Sequence, residues 1–67
     1  MGTQYLMPML RNVQTGQTQQ VRELSGSRFS TRQQKQCLEM ANQYAVKLSQ
    51  RTGDTWVGFT KTYTPTS

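Results

Sequence analysis

The feature that most constrains this fold is one amphipathic helix, predicted at 31–52. Its apolar residues recur with a period of 3.6 residues and form a single stripe. The stripe consists of Cys37, Leu38, Ala41, Tyr44, Ala45 and Leu48. A helix of this kind buries its stripe against another packed element. The rest of the chain has the composition of strands and turns, so we expect the stripe to pack on a sheet.

Sequence signals at both ends define the limits of this helix. Ser30 is followed three residues later by Gln33, which is the spacing of a capping box. Gly53 suits the left-handed conformation in which helices commonly end. Val46 breaks the pattern because it projects from the polar face, and we expect its side chain to be exposed.

Three segments are predicted to be strands. Residues 55–64 alternate aromatic and β-branched side chains. Segments 5–13 and 18–24 flank a glycine-containing turn at 14–17, which predicts a hairpin. The expected fold is therefore α+β, with elements in the order β-β-α-β and one helix on one face of a three-stranded, mostly antiparallel sheet. The helical connection leaves the third strand parallel to the second and antiparallel to the first, so the simplest all-antiparallel sheet has the first strand in the middle, in the spatial order 2-1-3.

Pro8 argues against a central first strand, because proline cannot donate a hydrogen bond to the sheet. Pairing could begin beyond Pro8, a bulge could lie there, or the strand could be at an edge. The sequence leaves these alternatives open.

The two faces of the last strand are expected to have different roles. Val57, Phe59 and Tyr63 share one face, which is predicted to pack against the helix. The other face is then uncovered, and apolar side chains on an uncovered face are typical of an interface. The candidate interface consists of Trp56, Tyr5, Met7 and Met9.

A second candidate site lies at the start of the helix. Helix N-termini present free amides and partial positive charge, which favour phosphate. The candidate anion-binding site consists of Ser27, Arg28, Ser30, Thr31 and Arg32. The alternative is an ordinary loop followed by a helix cap, which explains Ser30 and Gln33 without any ligand.

The residue inventory argues against enzymatic activity. The 67 residues include no histidine, one cysteine, three acidic residues and eight basic ones, for a net charge of +5. Catalysis near neutral pH usually needs a positioned base, an activated nucleophile or a metal. Without a histidine to act as its base, Cys37 is expected to be a small buried apolar residue. We therefore expect no catalytic residues, no metal, no cofactor and no small-molecule substrate.

Length and composition predict a single small domain over 1–67, with flexible ends at about 1–4 and 65–67. The sequence has no apolar run of about 18 residues, which predicts no membrane span. It begins without a signal-peptide pattern, and one cysteine cannot form an intramolecular disulfide. A cytoplasmic location is the expectation.

Two functional hypotheses follow. The first is a small accessory or regulatory protein that binds a protein partner, or itself, through the uncovered sheet face. The alternative is a nucleic-acid-binding module that uses Arg and Lys side chains and the helix N-terminus, because a net charge of +5 favours polyanionic partners. Convergence of the basic residues on one surface would favour the second hypothesis.

Overall fold

The computed structural model describes residues 3–24 and 26–65, which form one helix packed on an antiparallel sheet. The strands are β1 (Tyr5–Asn12), β2 (Thr18–Gln20), β3 (Phe29–Ser30) and β4 (Trp56–Tyr63), and the helix is α1 (Gln34–Thr52). Two short 3-10 turns lie at Arg22–Leu24 and Thr31–Gln33. The prediction of flexible ends falls partly on residues 1, 2, 66 and 67, which lie outside the described residues.

Strand β1 is at the centre of the sheet. It is antiparallel to β4 along its whole length, from Tyr5 opposite Tyr63 to Asn12 opposite Trp56. Its other edge is shared by β2 and β3, both antiparallel to it. The predicted α+β fold and the central position of the first strand are confirmed, with β4 as the predicted third strand and β3 as an additional short one. The second strand is shorter than predicted, because the chain enters a 3-10 turn at Arg22–Leu24.

Pro8 is compatible with this central position because of the gap between β2 and β3. Met9 is the first residue of β1 to pair with β2, whereas β3 pairs only with Tyr5 and Leu6. The Pro8 carbonyl accepts a hydrogen bond from the Val21 N–H at 3.3 Å. A strand residue directs its N–H and C=O to the same edge, so the amide that Pro8 lacks would point into the gap. Proline therefore removes no hydrogen bond between paired strands.

Local signals set both ends of α1, as the sequence predicted. The Gln33 side-chain oxygen accepts a hydrogen bond from the Ser30 N–H at 2.9 Å, in the predicted capping-box pairing. One 3-10 turn, Thr31–Gln33, precedes the regular helix. At the other end Gly53 adopts a φ of 83°, and its N–H donates to the Ser49 carbonyl at 2.9 Å.

The core lies between α1 and the sheet, and the helix contributes small side chains to it. Its fully enclosed residues are Cys37, Ala41 and Ala45, so α1 can approach the sheet closely. The closest approach is at Gly58, where a Cβ atom would lie 2.6 Å from the Asn42 nitrogen and 2.7 Å from the Ala41 carbonyl carbon. The buried apolar residues are Leu6, Leu10, Val21, Leu24, Phe29, Cys37, Ala41 and Ala45.

The predicted assignment of the two faces of β4 is wrong. Gly58 faces α1, and Trp56, two residues away, shares that face. Trp56 packs against the buried cluster around Leu10 and Ala45, and its indole nitrogen donates to the Thr52 hydroxyl at 3.1 Å. Trp56 is therefore not part of an uncovered interface.

The residues predicted to face the helix lie on the opposite side of the sheet. Val57 is 43% exposed, and Phe59 and Tyr63 are half-buried. The physical reason is the closeness of α1, which leaves no room for a side chain at position 58. The glycine has to face the helix, and the bulky residues on either side of it then face away.

Candidate functional site

The sheet face turned away from α1 is called the open face here. Its residues alternate along β1 and β4 and stand opposite one another in the register of the two strands. They are Tyr5, Met7, Met9 and Arg11 of β1, and Val57, Phe59, Lys61 and Tyr63 of β4. Three of the four predicted interface residues therefore lie on this face. The sequence analysis missed its β4 half, and Gly58 was the signal that could have revealed it.

The open face carries three aromatic rings. Tyr5 and Tyr63 lie opposite each other, with ring centroids 6.1 Å apart and planes tilted by 38°. Phe59 lies further along β4, opposite Met9. All three rings are half-buried. This part of the surface offers flat apolar groups for contact with a partner.

Three cations accompany the rings. Arg11 and Lys61 project from the open face and are exposed. Arg28 approaches from the loop before β3, and its guanidinium carbon lies 5.5 Å from the centroid of the Tyr5 ring. A cation over an aromatic face is attracted by the ring quadrupole, which holds Arg28 beside the open face.

The acidic residues of the chain all lie elsewhere. Glu23 is in the 3-10 turn Arg22–Leu24, and Glu39 is in α1. Asp54 follows the helix and accepts a hydrogen bond from the Asn12 side-chain nitrogen at 3.0 Å. No carboxylate therefore stands on β1 or β4 to neutralise the cations of the open face.

The residues of the predicted anion-binding site are divided between two places. Arg28 is beside Tyr5, whereas Thr31 and Arg32 are exposed in the 3-10 turn that precedes α1. Ser30 belongs to β3, where its N–H is already bonded to Gln33. Ser27 is exposed, and its N–H donates to the Leu24 carbonyl at 2.9 Å. Phosphate binding at this helix start remains a prediction.

A cleft of about 410 Å³ lies on the helix side of the sheet, between the 3-10 turn Arg22–Leu24 and the second half of α1. It is lined by Leu10, Gln19, Arg22, Glu23, Tyr44, Lys47, Leu48 and Arg51. Lys47 lies over the Tyr44 ring, with its nitrogen 5.1 Å from the centroid. The negative charge of Glu23 partly offsets the positive charges of Arg22, Lys47 and Arg51 that also line the cleft. The sequence analysis missed it because its residues come from separate elements.

Cys37 has no access to solvent in the folded chain. Burial raises the pKa of its thiol, because the apolar surroundings disfavour the thiolate. The expectation that Cys37 is a small core residue is confirmed. Within residues 3–24 and 26–65, no three cysteine or carboxylate side chains lie close enough together to bind a metal ion. None of the helices in the described ranges has an apolar stretch long enough to cross a membrane.

Comparison with known proteins finds no matching family model, curated sequence or solved structure.

Proposed function

We propose that this chain is a non-catalytic domain that binds single-stranded nucleic acid on its open face. The observation that supports the proposal is the combination of three aromatic rings and three cations on one face whose strands carry no carboxylate. Aromatic rings and cations are the two groups that single-strand binders combine. The sequence analysis favoured a protein partner for the uncovered face, but the positions of Phe59, Lys61 and Tyr63 favour nucleic acid.

The aromatic rings would act as stacking platforms. Bases in a single strand are free to stack on side chains, whereas in a duplex their flat surfaces are covered by neighbouring base pairs. The open face is formed by β-strands, and no helix of the described chain projects from it to enter a groove. A single strand therefore suits this surface better than a duplex.

The size of the open face limits the length of nucleic acid that it can bind. From Val57 to Tyr63 the strand advances six residues, or about 20 Å at a rise of roughly 3.3 Å per residue. This length suits the low end of the known single-strand sites, about four nucleotides. Arg11 and Lys61 would contact phosphates on either side of the Phe59 ring.

Self-association through the open face is disfavoured by charge. Two copies placed face to face would bring six cations together, since each copy contributes Arg11, Arg28 and Lys61. The strands of this face supply no carboxylate that could pair with them. A polyanion avoids this repulsion and gains entropy by releasing its counterions.

The test is a binding titration with a fluorescent oligothymidylate, compared with a duplex of equal charge. We expect the single strand to bind more tightly. Phe59→Ala should weaken binding about 5- to 150-fold, because loss of one stacked base contact costs about 1–3 kcal/mol. Lys61→Ala should weaken binding and reduce the salt dependence by about one phosphate contact, or roughly 0.7 in the logarithmic slope.

Matched variants on the helix side serve as controls. Lys35 is exposed on α1, so Lys35→Ala removes the same charge as Lys61→Ala but away from the open face. Arg32→Ala tests the predicted site at the helix start. Equal losses for Lys35→Ala and Lys61→Ala would mean that only net charge matters. A loss confined to Arg32→Ala would move the site to the helix start, and binding of an acidic peptide but no oligonucleotide would contradict the proposal.

A further inference from the structure

We propose that two copies of this chain associate through the outer edge of β4 and form a continuous antiparallel sheet. This inference concerns a surface other than the open face and does not depend on nucleic-acid binding. Its basis is a strand edge that is closed along its first half and free along its second, beside an apolar flank of α1.

The first half of the β4 edge is closed by side chains from α1. The N–H of Trp56 donates to the Ser49 hydroxyl at 2.8 Å, and the N–H of Gly58 donates to the Asn42 side-chain oxygen at 3.1 Å. Both amides point away from β1, because the backbone groups of successive β4 residues alternate in direction and the intervening residues are the ones that bond to β1. The helix thus supplies the partners that a neighbouring strand would otherwise supply.

The second half of the same edge is free. By the same alternation, the N–H groups of Thr60 and Thr62 also point away from β1. In the part of the chain that the structure describes, neither amide has a hydrogen-bond partner. A row of unpaired N–H and C=O groups is a template for pairing with another strand.

One exposed apolar side chain of α1, Leu38, lies beside this free edge. Asn42 marks the side of α1 that reaches the edge, and Leu38 and Val46 lie one helical turn before and after it, on the same side. Leu38 is 37% exposed and Val46 is 56% exposed. Leu38 lies beyond Asn42, beside the free half of the edge, whereas Val46 lies between Asn42 and Ser49, beside the closed half.

A second copy is the occupant that this surface fits. The helix contacts Gly58 through Asn42 and Trp56 through Ser49, so α1 runs antiparallel to β4. A twofold axis that pairs two β4 edges antiparallel therefore also places two α1 helices antiparallel, side by side. Their Leu38 side chains, which lie beside the paired halves of the two edges, would then be covered together.

The flank of α1 carries charges of both signs, so the flanks of two copies can attract each other. Lys35 and Glu39 lie on the side that carries Leu38, one turn apart. In an antiparallel pair of helices, Lys35 of one copy can approach Glu39 of the other. The open face has no carboxylate and offers no such pairing.

The expected dimer is weak. Only the second half of β4, four residues or about 13 Å, is free to pair, so the interface between the copies is small. Standard stable complexes bury roughly 800 Å² per partner. We therefore expect dissociation constants of about 10 µM to 1 mM.

Sedimentation equilibrium of the whole chain from about 1 µM to 1 mM tests this proposal without nucleic acid. Leu38→Asp should weaken the dimer at least tenfold, and circular dichroism verifies that this variant folds. Val13→Asp is the matched control, because Val13 is 57% exposed, lies beyond the end of β1 and bonds through its N–H to Thr55. It adds the same charge away from the β4 edge and should leave the association unchanged.

A backbone variant tests the pairing directly. Thr62→Pro removes an N–H that has no partner within the described chain and should abolish the dimer, whereas Thr62→Ala keeps the N–H and should retain it. Circular dichroism verifies that both variants fold. A chain that is monomeric at 1 mM would overturn the proposal. A dimer that persists in folded Thr62→Pro, or that Phe59→Ala disrupts and Leu38→Asp does not, would also overturn it.

Discussion

Gly58→Ala tests the packing that decides which face of the sheet is open. The added methyl group would lie 2.6 Å from the Asn42 nitrogen and 2.7 Å from the Ala41 carbonyl carbon. Both are backbone atoms of α1, so a side-chain rotation cannot relieve the overlap. Either α1 moves away from the sheet or β4 shifts in its pairing with β1.

The sign of the change in stability caused by Gly58→Ala shows whether the added methyl group meets α1. Without a steric conflict, alanine in a strand interior is more stable than glycine by roughly 0.5–1 kcal/mol. Forcing an extra methyl group into a packed core typically costs about 1–3 kcal/mol, and the overlap here is with backbone. We expect a net loss of about 1–3 kcal/mol in the free energy of unfolding. For a domain of this size each kcal/mol shifts Tm by about 4–8 °C, so Tm should fall by roughly 5–20 °C.

Thermal unfolding followed by circular dichroism and by Trp56 fluorescence measures this change. Trp56 is half-buried beside the end of α1, so its emission reports the same packing. Val57→Ala is the control, since Val57 is the exposed neighbour of Gly58 and its truncation should change stability by about 0.5 kcal/mol or less. A Gly58→Ala variant as stable as the parent, or more stable, would refute the close approach of α1 and with it the assignment of the open face.

Two further residues give predictions of stability and reactivity. Asn12 is 3% exposed, and its side chain is hydrogen-bonded to the N–H groups of Gln14 and Thr15 and to Asp54, which joins the turn after β1 to the segment before β4. Asn12→Ala should lower the free energy of unfolding by about 2–4 kcal/mol in urea titrations, at roughly 1 kcal/mol per hydrogen bond. A loss below about 0.5 kcal/mol would contradict this role. Cys37 should react with a thiol reagent only as fast as the chain unfolds, because it is fully buried, and rapid labelling under native conditions would show that the core is open. Burial also raises the pKa of the Cys37 thiol in the folded chain. At a pH above about 8.5 the unfolded chain loses this proton while the folded chain keeps it, so the free energy of unfolding should decline as the pH rises. The Cys37→Ala variant should lack this decline.

The helix and the central strand were predictable because their determinants are local or general. Ser30, Gln33 and Gly53 mark the helix ends by short-range hydrogen bonding and by backbone conformation. The helical connection makes β4 parallel to β2 and antiparallel to β1, so an antiparallel sheet places β1 between them. Pro8 gave a misleading signal, because the gap between β2 and β3 depends on where two other strands end.

The faces of β4 could not be assigned from hydrophobicity. Alternation defines two sets of residues, and the set with Val57, Phe59 and Tyr63 is the more apolar. The close packing of α1 reverses that preference, because the small residues Ala41 and Gly58 meet where the helix crosses the strand. Lys61 shares a face with Phe59 and Tyr63 by alternation alone, but the placement of Arg11 beside them depends on the register between β1 and β4, which the sequence does not reveal.

The most direct test of nucleic-acid binding on the open face uses the methionine methyl groups as position markers. Met7 and Met9 lie on the open face, whereas Met40 packs between α1 and the sheet and contacts both buried clusters. In a methyl-labelled sample titrated with oligothymidylate, we expect the resonances of Met7 and Met9 to shift in proportion to saturation while that of Met40 stays in place. Shifts of Met40 alone, or no shift at any of the three methyl groups at saturating oligonucleotide, would contradict binding on the open face.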